Sequence, residues 1–247
     1  MNYLIIGASS GLGRDLAYRF AKNSHNLTLI SRDERDTLAL KADIENRFNS
    51  KVNTDVIDCS SSEKVNTYIK SNLSNLKNID GILFPIGMIF EDDTVQNDIS
   101  VTNDLIQANY AVVAHFVSEM IEIFKEKNNG TIVGFGSVSA YLGRDINATY
   151  AASKRALDSF FESLAFTNIK TNIKVQFYVL GYLESNMTFG RKLILPKGST
   201  KKLAKIVYKN INKKYKKVYF PYWWAPISYI LLILPFFIII NLIKFIK

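Results

Sequence analysis

Asn2–Lys22 reads NYLIIGASSGLGRDLAYRFAK. The apolar run before Gly7 is too short for a secretion signal and has the length of a strand. GASSGLG follows, and then RDLAYRFAKN sets Leu16, Phe20 and Ala21 at helical spacing. Strand, glycine-rich turn and helix form the context in which such glycines acquire meaning. Gly7 permits the tight turn, Gly11 lets backbone approach a phosphate, and Gly13 lets the helix pack closely on the strand. Ser9, Ser10 and Leu12 complete the loop. A pyrophosphate would then rest on free N–H groups at the positive end of the helix dipole.

The alternation continues outward from this unit. Strands are expected at Asn26–Ile30, Val52–Asp58, Asp80–Phe84, Thr131–Phe135, Ile173–Leu180 and Val218–Phe220. Helices are expected at Asp33–Phe48, Glu63–Leu76, Ile99–Lys127, from Tyr150 onward and at Lys201–Asn212. Alternating elements imply α/β architecture, here a single Rossmann-type, doubly wound parallel sheet of about seven strands with right-handed crossovers. It fills residues 1–220, and residues 221–247 form a separate apolar segment preceded by a basic stretch.

Chemistry concentrates at strand ends. Ser31-Arg32 closes the second strand, where a dinucleotide-binding unit meets the adenosine ribose. Arg32 can pair with a ribose phosphate, so NADP(H) is the preferred cofactor. Asp33 next door keeps NAD(H) admissible. Asp58-Cys59, ending the third strand, is placed for an adenine contact. Ser137–Lys154 reads SVSAYLGRDINATYAASK. Tyr150 and Lys154 stand four apart and share a helix face. A nearby ammonium favours the phenolate and lowers the tyrosine pKa, as a general acid/base requires. Ser137 follows the apolar run TIVGFG, at the carboxyl end of a buried strand, where such sheets bind ligands. Asn109, inside an otherwise apolar helix face, marks a kink or a site.

Together these residues resemble the short-chain dehydrogenase/reductase family from Asn2 to about Phe220. The resemblance implies an NAD(P)-dependent oxidoreductase acting on a carbonyl or alcohol, with a catalytic tetrad of Asn109, Ser137, Tyr150 and Lys154. Ser137 would hold the carbonyl and Tyr150 donate the proton. Lys154 would lower the tyrosine pKa and bind the nicotinamide ribose, and Asn109 would hold a water linking Lys154 to solvent. The implied cofactor contacts are Gly7, Ser9, Ser10, Gly11, Leu12, Gly13, Ser31, Arg32, Asp58, Cys59, Gly87, Tyr150, Lys154, Leu183 and Ser185. Three positions depart from the family pattern. Ile6 replaces a threonine, Phe84-Pro85-Ile86-Gly87 replaces Asn-Asn-Ala-Gly, and Leu180-Gly181 replaces Pro-Gly. The family's pairing through its fourth and fifth helices suggests a homodimer or homotetramer.

Formal net charge is +9, yet residues 185–247 hold 13 Lys/Arg and no Asp/Glu, which leaves 18 basic against 22 acidic residues elsewhere. The positive excess belongs to the carboxyl-terminal part, pointing to anionic lipid and away from nucleic acid. Ala225–Ile243 is 19 residues without a charge, flanked by Trp223, Trp224 and Lys244. That length suits a transmembrane helix, with the catalytic domain facing the cytoplasm. Pro235 also allows a hairpin or in-plane helix, and a buried lid is the remaining alternative. Membrane attachment suggests a lipidic or lipid-linked ketone. Phe84-x-x-Gly87, Asn109-Tyr110 and then Val218-Tyr219-Phe220-Pro221-x-Trp223 before an apolar, proline-containing end are loosely similar to reductases of polyprenyl-phosphate keto-sugars, which would imply a partner oxidase in a two-step epimerisation. Membrane-associated 3-oxoacyl or sterol-type reductases are the runner-up, and a catalytically retired dinucleotide-binding scaffold is the competitor from another class. One cysteine, Cys59, rules out an intrachain disulfide framework, and the distant His25 and His115 offer no metal cluster.

Overall fold

A computed structural model describes residues 1–90, 93–143, 145–185, 188, 190 and 195–246, with side chains to residue 241. Seven strands form one parallel sheet: β1 (Asn2–Ile6), β2 (Asn26–Ser31), β3 (Val52–Val56), β4 (Gly81–Phe84), β5 (Gly130–Ser137), β6 (Ile173–Leu180) and β7 (Tyr215–Phe220). Their spatial order is β3-β2-β1-β4-β5-β6-β7. The strand order reverses between β1 and β4, which opens the ligand crevice at the carboxyl ends of the strands.

The helices are α1 (Gly11–Ala21), α2 (Glu34–Arg47), α3 (Ser62–Leu76), α4 (Ile99–Ile106), α5 (Val112–Glu126), α6 (Ala148–Thr167), α7 (Thr200–Asn210), α8 (Trp224–Ile233) and α9 (Phe236–Ile246). Buried apolar residues on both faces explain the near-continuous hydrophobic strands. On one face Phe84, Phe116, Phe161 and Phe177 join the sheet to α5 and α6. On the other, Tyr3, Leu16, Phe20, Leu203 and Tyr178 join it to α1 and α7.

Differences from the sequence expectation have local causes. β3 stops at Val56 because its partner β2 ends opposite, at Ser31. The expected helix over Ile99–Lys127 is broken by a π-turn at Gln107–Ala111, centred on Asn109. β7 begins at Tyr215, earlier than expected, since its lysines obscure the apolar pattern. Lys217 there reaches inward to Asp158 at 2.7 Å and Glu162 at 2.8 Å.

The tail requires the largest correction. Among the described residues, no helix is long and apolar enough to cross a membrane. Leu234 is extended, with φ −62° and ψ 126°. The Pro235 ring disfavours helical backbone in the residue before it, so the apolar run splits into two short helices. The first is docked on the catalytic domain. A Cβ on Gly181 would fall 1.9 Å from Trp224 Nε1. Trp224 also meets Tyr182 edge-on at 5.4 Å, and Tyr229 packs on Tyr219 at 5.5 Å. Ser228 is buried, whereas Tyr222, Ile230, Ile233, Phe236 and Phe237 are exposed.

Candidate active site

The site is assembled where β1, β4, β5 and β6 end. Gly7 has φ +94°, and a Cβ on it would lie 2.8 Å from Ile86 Cα, so the turn after β1 closes on the loop after β4. A Cβ on Gly13 would lie 1.9 Å from the Gly7 carbonyl oxygen. Close packing of α1 on β1 therefore depends on glycine there. The first turn of α1 carries no acidic residue, and Ser10 at its cap makes no side-chain cap bond. This cradle fits a dinucleotide phosphate. Ser185, beyond β6, faces the turn, 3.8 Å from where a Gly11 Cβ would be. Leu183 is buried beside it and bridges to Gly198.

At the end of β2 the two charges separate by role. Asp33 turns its carboxylate inward along the chain and accepts from the Asp36 N–H at 2.8 Å, capping α2. Arg32 stays exposed at the strand end. Ser31 is buried and paired with Thr37 at 2.6 Å, so its hydroxyl is committed to the α2 junction. Asp58 accepts from Ser60 Oγ at 2.8 Å and Ser60 N at 3.1 Å. Those bonds, with Arg32 nearby, hold its carboxyl below the usual range. Burial pushes the Cys59 thiol up to about 12, which leaves it an apolar wall rather than a nucleophile.

On the far side, Ser137 is the last residue of β5, and its Oγ accepts from the Ser139 N–H at 3.2 Å. Lys154 is buried and donates to the Phe135 carbonyl at 3.2 Å, two residues before Ser137. Its ammonium lies 6.0 Å from the centre of the half-buried Tyr150 ring. Desolvation pushes the Lys154 pKa down to about 8. Ser137, Tyr150 and Lys154 thus share one junction between β5 and α6. Asn109 is buried with its amide committed elsewhere. It donates to the Met88 carbonyl at 2.9 Å and accepts the Met88 N–H at 2.9 Å. Its side chain clamps the loop that follows β4, beside Gly87.

Residues 2–192 match the family profile described as short chain dehydrogenase. The chain belongs to that family. It is an NAD(P)-dependent oxidoreductase. Among relatives, 11-beta-hydroxysteroid dehydrogenase-like 2 of Arabidopsis thaliana is 29% identical over 236 residues, covering 89% of this chain and 73% of that protein. An uncharacterized oxidoreductase of Mycobacterium tuberculosis is 26% identical, covering 94% and 93%. A very-long-chain 3-oxoacyl-CoA reductase of Vanderwaltozyma polyspora is 24% identical, covering 86% of this chain and 64% of its own length. In fold, the chain resembles a short-chain dehydrogenase from Sphingobium yanoikuyae solved with NADPH. That pair has a TM-score of 0.80 and 22% identity, over 89% of this chain and 87% of that one.

Sequence reasoning missed Asp93. It is wholly buried, and its carboxylate accepts from the N–H groups of Thr149 and Tyr150. Its only sequence signal is an acidic run, Glu91-Asp92-Asp93, which resembles a solvated loop.

Proposed function

We propose that the chain is an NADPH-dependent carbonyl reductase acting on a lipidic or lipid-linked ketone, attached to a membrane through α8 and α9. The observation that carries the chemistry is the junction of β5 and α6, where a buried lysine lies beneath a half-buried tyrosine and next to a strand-end serine. Gly7, Gly11, Gly13 and the start of α1 would hold the pyrophosphate, and Arg32 the ribose phosphate. When bound, the dinucleotide supplies the hydride. Ser137 Oγ would donate to the substrate carbonyl, fixing and polarising it. The Tyr150 hydroxyl would give its proton to the developing alkoxide while the Lys154 ammonium stabilises the phenolate left behind. Asn109 supports this arrangement by holding the loop at Met88.

The lipidic substrate follows from the tail. Trp224 seats α8 beside the end of β6, next to the site, while Ile230, Ile233, Phe236 and Phe237 are apolar and exposed. A contiguous patch of that kind marks an interaction surface, and the strongly basic segment preceding it favours an anionic bilayer. Relatives named for hydroxysteroids and for very-long-chain 3-oxoacyl-CoA support steroid-like or acyl ketones. A polyprenyl-linked keto-sugar belongs in the same test.

The experiment is NADPH oxidation by the full chain on anionic vesicles, offered a long-chain 3-oxoacyl-CoA, a steroid ketone, a polyprenyl-phosphate keto-sugar and acetone. Turnover of a lipidic ketone well above acetone is expected. Tight NADPH binding with no turnover of any ketone would return the protein to the retired scaffold reading.

A further inference from the structure

We propose that Asp93 is the positioning residue for Tyr150, setting the first turn of α6 in register with the loop after β4. The proposal rests on the reading of Tyr150 as the proton donor.

The argument begins with a helix that lacks its own cap. Asn147 occupies the N-cap of α6 with φ 58°, in the left-handed region, and its side chain makes no cap bond. An N-cap side chain ordinarily satisfies one of the first free N–H groups. Here Asp93 does so from 56 residues away. Its Oδ1 accepts from the Thr149 N–H at 3.0 Å, and its Oδ2 from the Tyr150 N–H at 2.8 Å. The Asp93 carbonyl accepts the Asn147 N–H at 2.6 Å. Asn97 Nδ2 holds the carboxylate in turn, donating to Oδ1 at 2.6 Å and to Thr149 Oγ1 at 3.2 Å.

A cap supplied by Asn147 itself would satisfy the helix equally well and tie it to nothing. The distant carboxylate joins α6 to the loop after β4. That loop also closes on Gly7 through Ile86 and is gripped by Asn109 at Met88. Ile86 and Met88 thus meet the phosphate turn and the π-turn, and Asp93 meets the turn that carries the phenol. Two adjacent N–H groups bound to two oxygens of one rigid carboxylate fix both the rotation and the axial position of the turn. Since one of those N–H groups is Tyr150's own, any shift of Asp93 displaces the phenol. Misplacement of a reacting group by about 1 Å can cost on the order of a hundredfold in rate.

Asp93→Asn keeps the shape but replaces one accepting oxygen with an N–H2, so one of the two backbone N–H groups faces a donor. The test compares this variant and Tyr150→Phe with the wild-type chain, using 3-oxopalmitoyl-CoA in detergent micelles. The expected result is a kcat lower by about tenfold to a hundredfold, with KM and the NADPH Kd within about threefold. Amide exchange at Thr149 and Tyr150 should accelerate at least about tenfold. A folded Asp93→Asn protein with kcat within about twofold of wild type would overturn the proposal, provided Tyr150→Phe is inactive. An active Tyr150→Phe would instead overturn the reading of the acid itself. Should Asp93→Asn fail to fold, Asn97→Ala removes the support of the carboxylate, together with the bonds to Thr149 Oγ1 and from the Thr94 N–H, and leaves the carboxylate itself in place. A kcat loss of about threefold or more at unchanged KM then sustains the proposal, and unchanged kcat rejects it.

Discussion

The β5–α6 junction and the carboxyl-terminal helices break the same rule in opposite directions. At the junction, polar groups that usually meet water are buried: Lys154, Ser137, Asn109 and Asp93. In α8 and α9, residues that usually fill cores face outward, with Ile233 80% exposed and Phe236 74%. Buried polar groups and exposed apolar patches are the informative exceptions to the inside-out distribution of side chains. The first kind costs stability to hold chemistry in place, and the second leaves surface for something outside the chain to cover.

The sharpest break of the comparison is at the junction. Tyr150→Phe removes one hydroxyl and should lower kcat by about a thousandfold, within the range for a lost general acid. NADPH binding, followed by fluorescence, should persist. An active variant would make the buried lysine a structural accident. On the other side, Ile233→Asp, Phe236→Asp and Phe237→Asp together remove three apolar side chains from the exposed face. Each such side chain transferred out of water contributes roughly 1.5–3 kcal/mol. Binding to anionic vesicles, measured by sedimentation, should therefore weaken at least about a hundredfold, while Trp224 and Ser228 keep α8 docked. Undiminished binding would show that the patch serves another purpose.

How much of this was legible depends on whether a signal is local. The glycine turn is local, because the positive φ of Gly7 and Gly11 and the tight packing at Gly13 are backbone requirements met within a few residues. Tyr150 and Lys154 are local too, four residues apart on one helix. Asp93 is not: its partners lie 56 residues on, and nothing in an acidic run distinguishes the member that turns inward. The tail misled for a related reason. Length and hydropathy measure an apolar run, but the backbone of Leu234 before Pro235 decides whether that run is one helix or two. The docking of Trp224 on Gly181 depends on tertiary contact. Lys216 and Lys217 likewise hid the first half of β7, because an inward ion pair with Asp158 cannot be read from alternation.

A third effect sharpens the junction side through titration. Burial lowers the Lys154 pKa from 10.5 to about 8. Between those values the unfolded chain holds the proton and the folded chain does not. Stability from this group should therefore rise with pH across that window, by about 3 kcal/mol in all. The buried tyrosines act in the opposite sense at higher pH, where the unfolded chain ionises first. The difference between wild type and Lys154→Met in denaturant midpoint against pH isolates the lysine. A parallel pair of curves would mean that its ammonium is better solvated than its burial implies.

The smallest effect lies away from both regions, and it controls for them. Asp33 and Arg32 are neighbours of opposite charge, and the sequence leaves open which one meets the ribose. The structure assigns the Asp33 carboxylate to the Asp36 N–H, where it caps α2, while Arg32 remains exposed. An acid engaged in a cap is poorly placed to accept from ribose hydroxyls. An exposed guanidinium can form charge-assisted bonds to a phosphate, although solvent screens part of their strength. Arg32→Ala should therefore raise the NADPH Kd about tenfold and leave the NADH Kd unchanged, as read by nicotinamide fluorescence. Because Arg32 touches neither the β5–α6 junction nor the tail, kcat at saturating NADPH and vesicle binding should both stay at wild-type values. Equal weakening toward both dinucleotides would instead place Arg32 in the scaffold of the α2 junction. Discrimination would then have to come from elsewhere on the crevice.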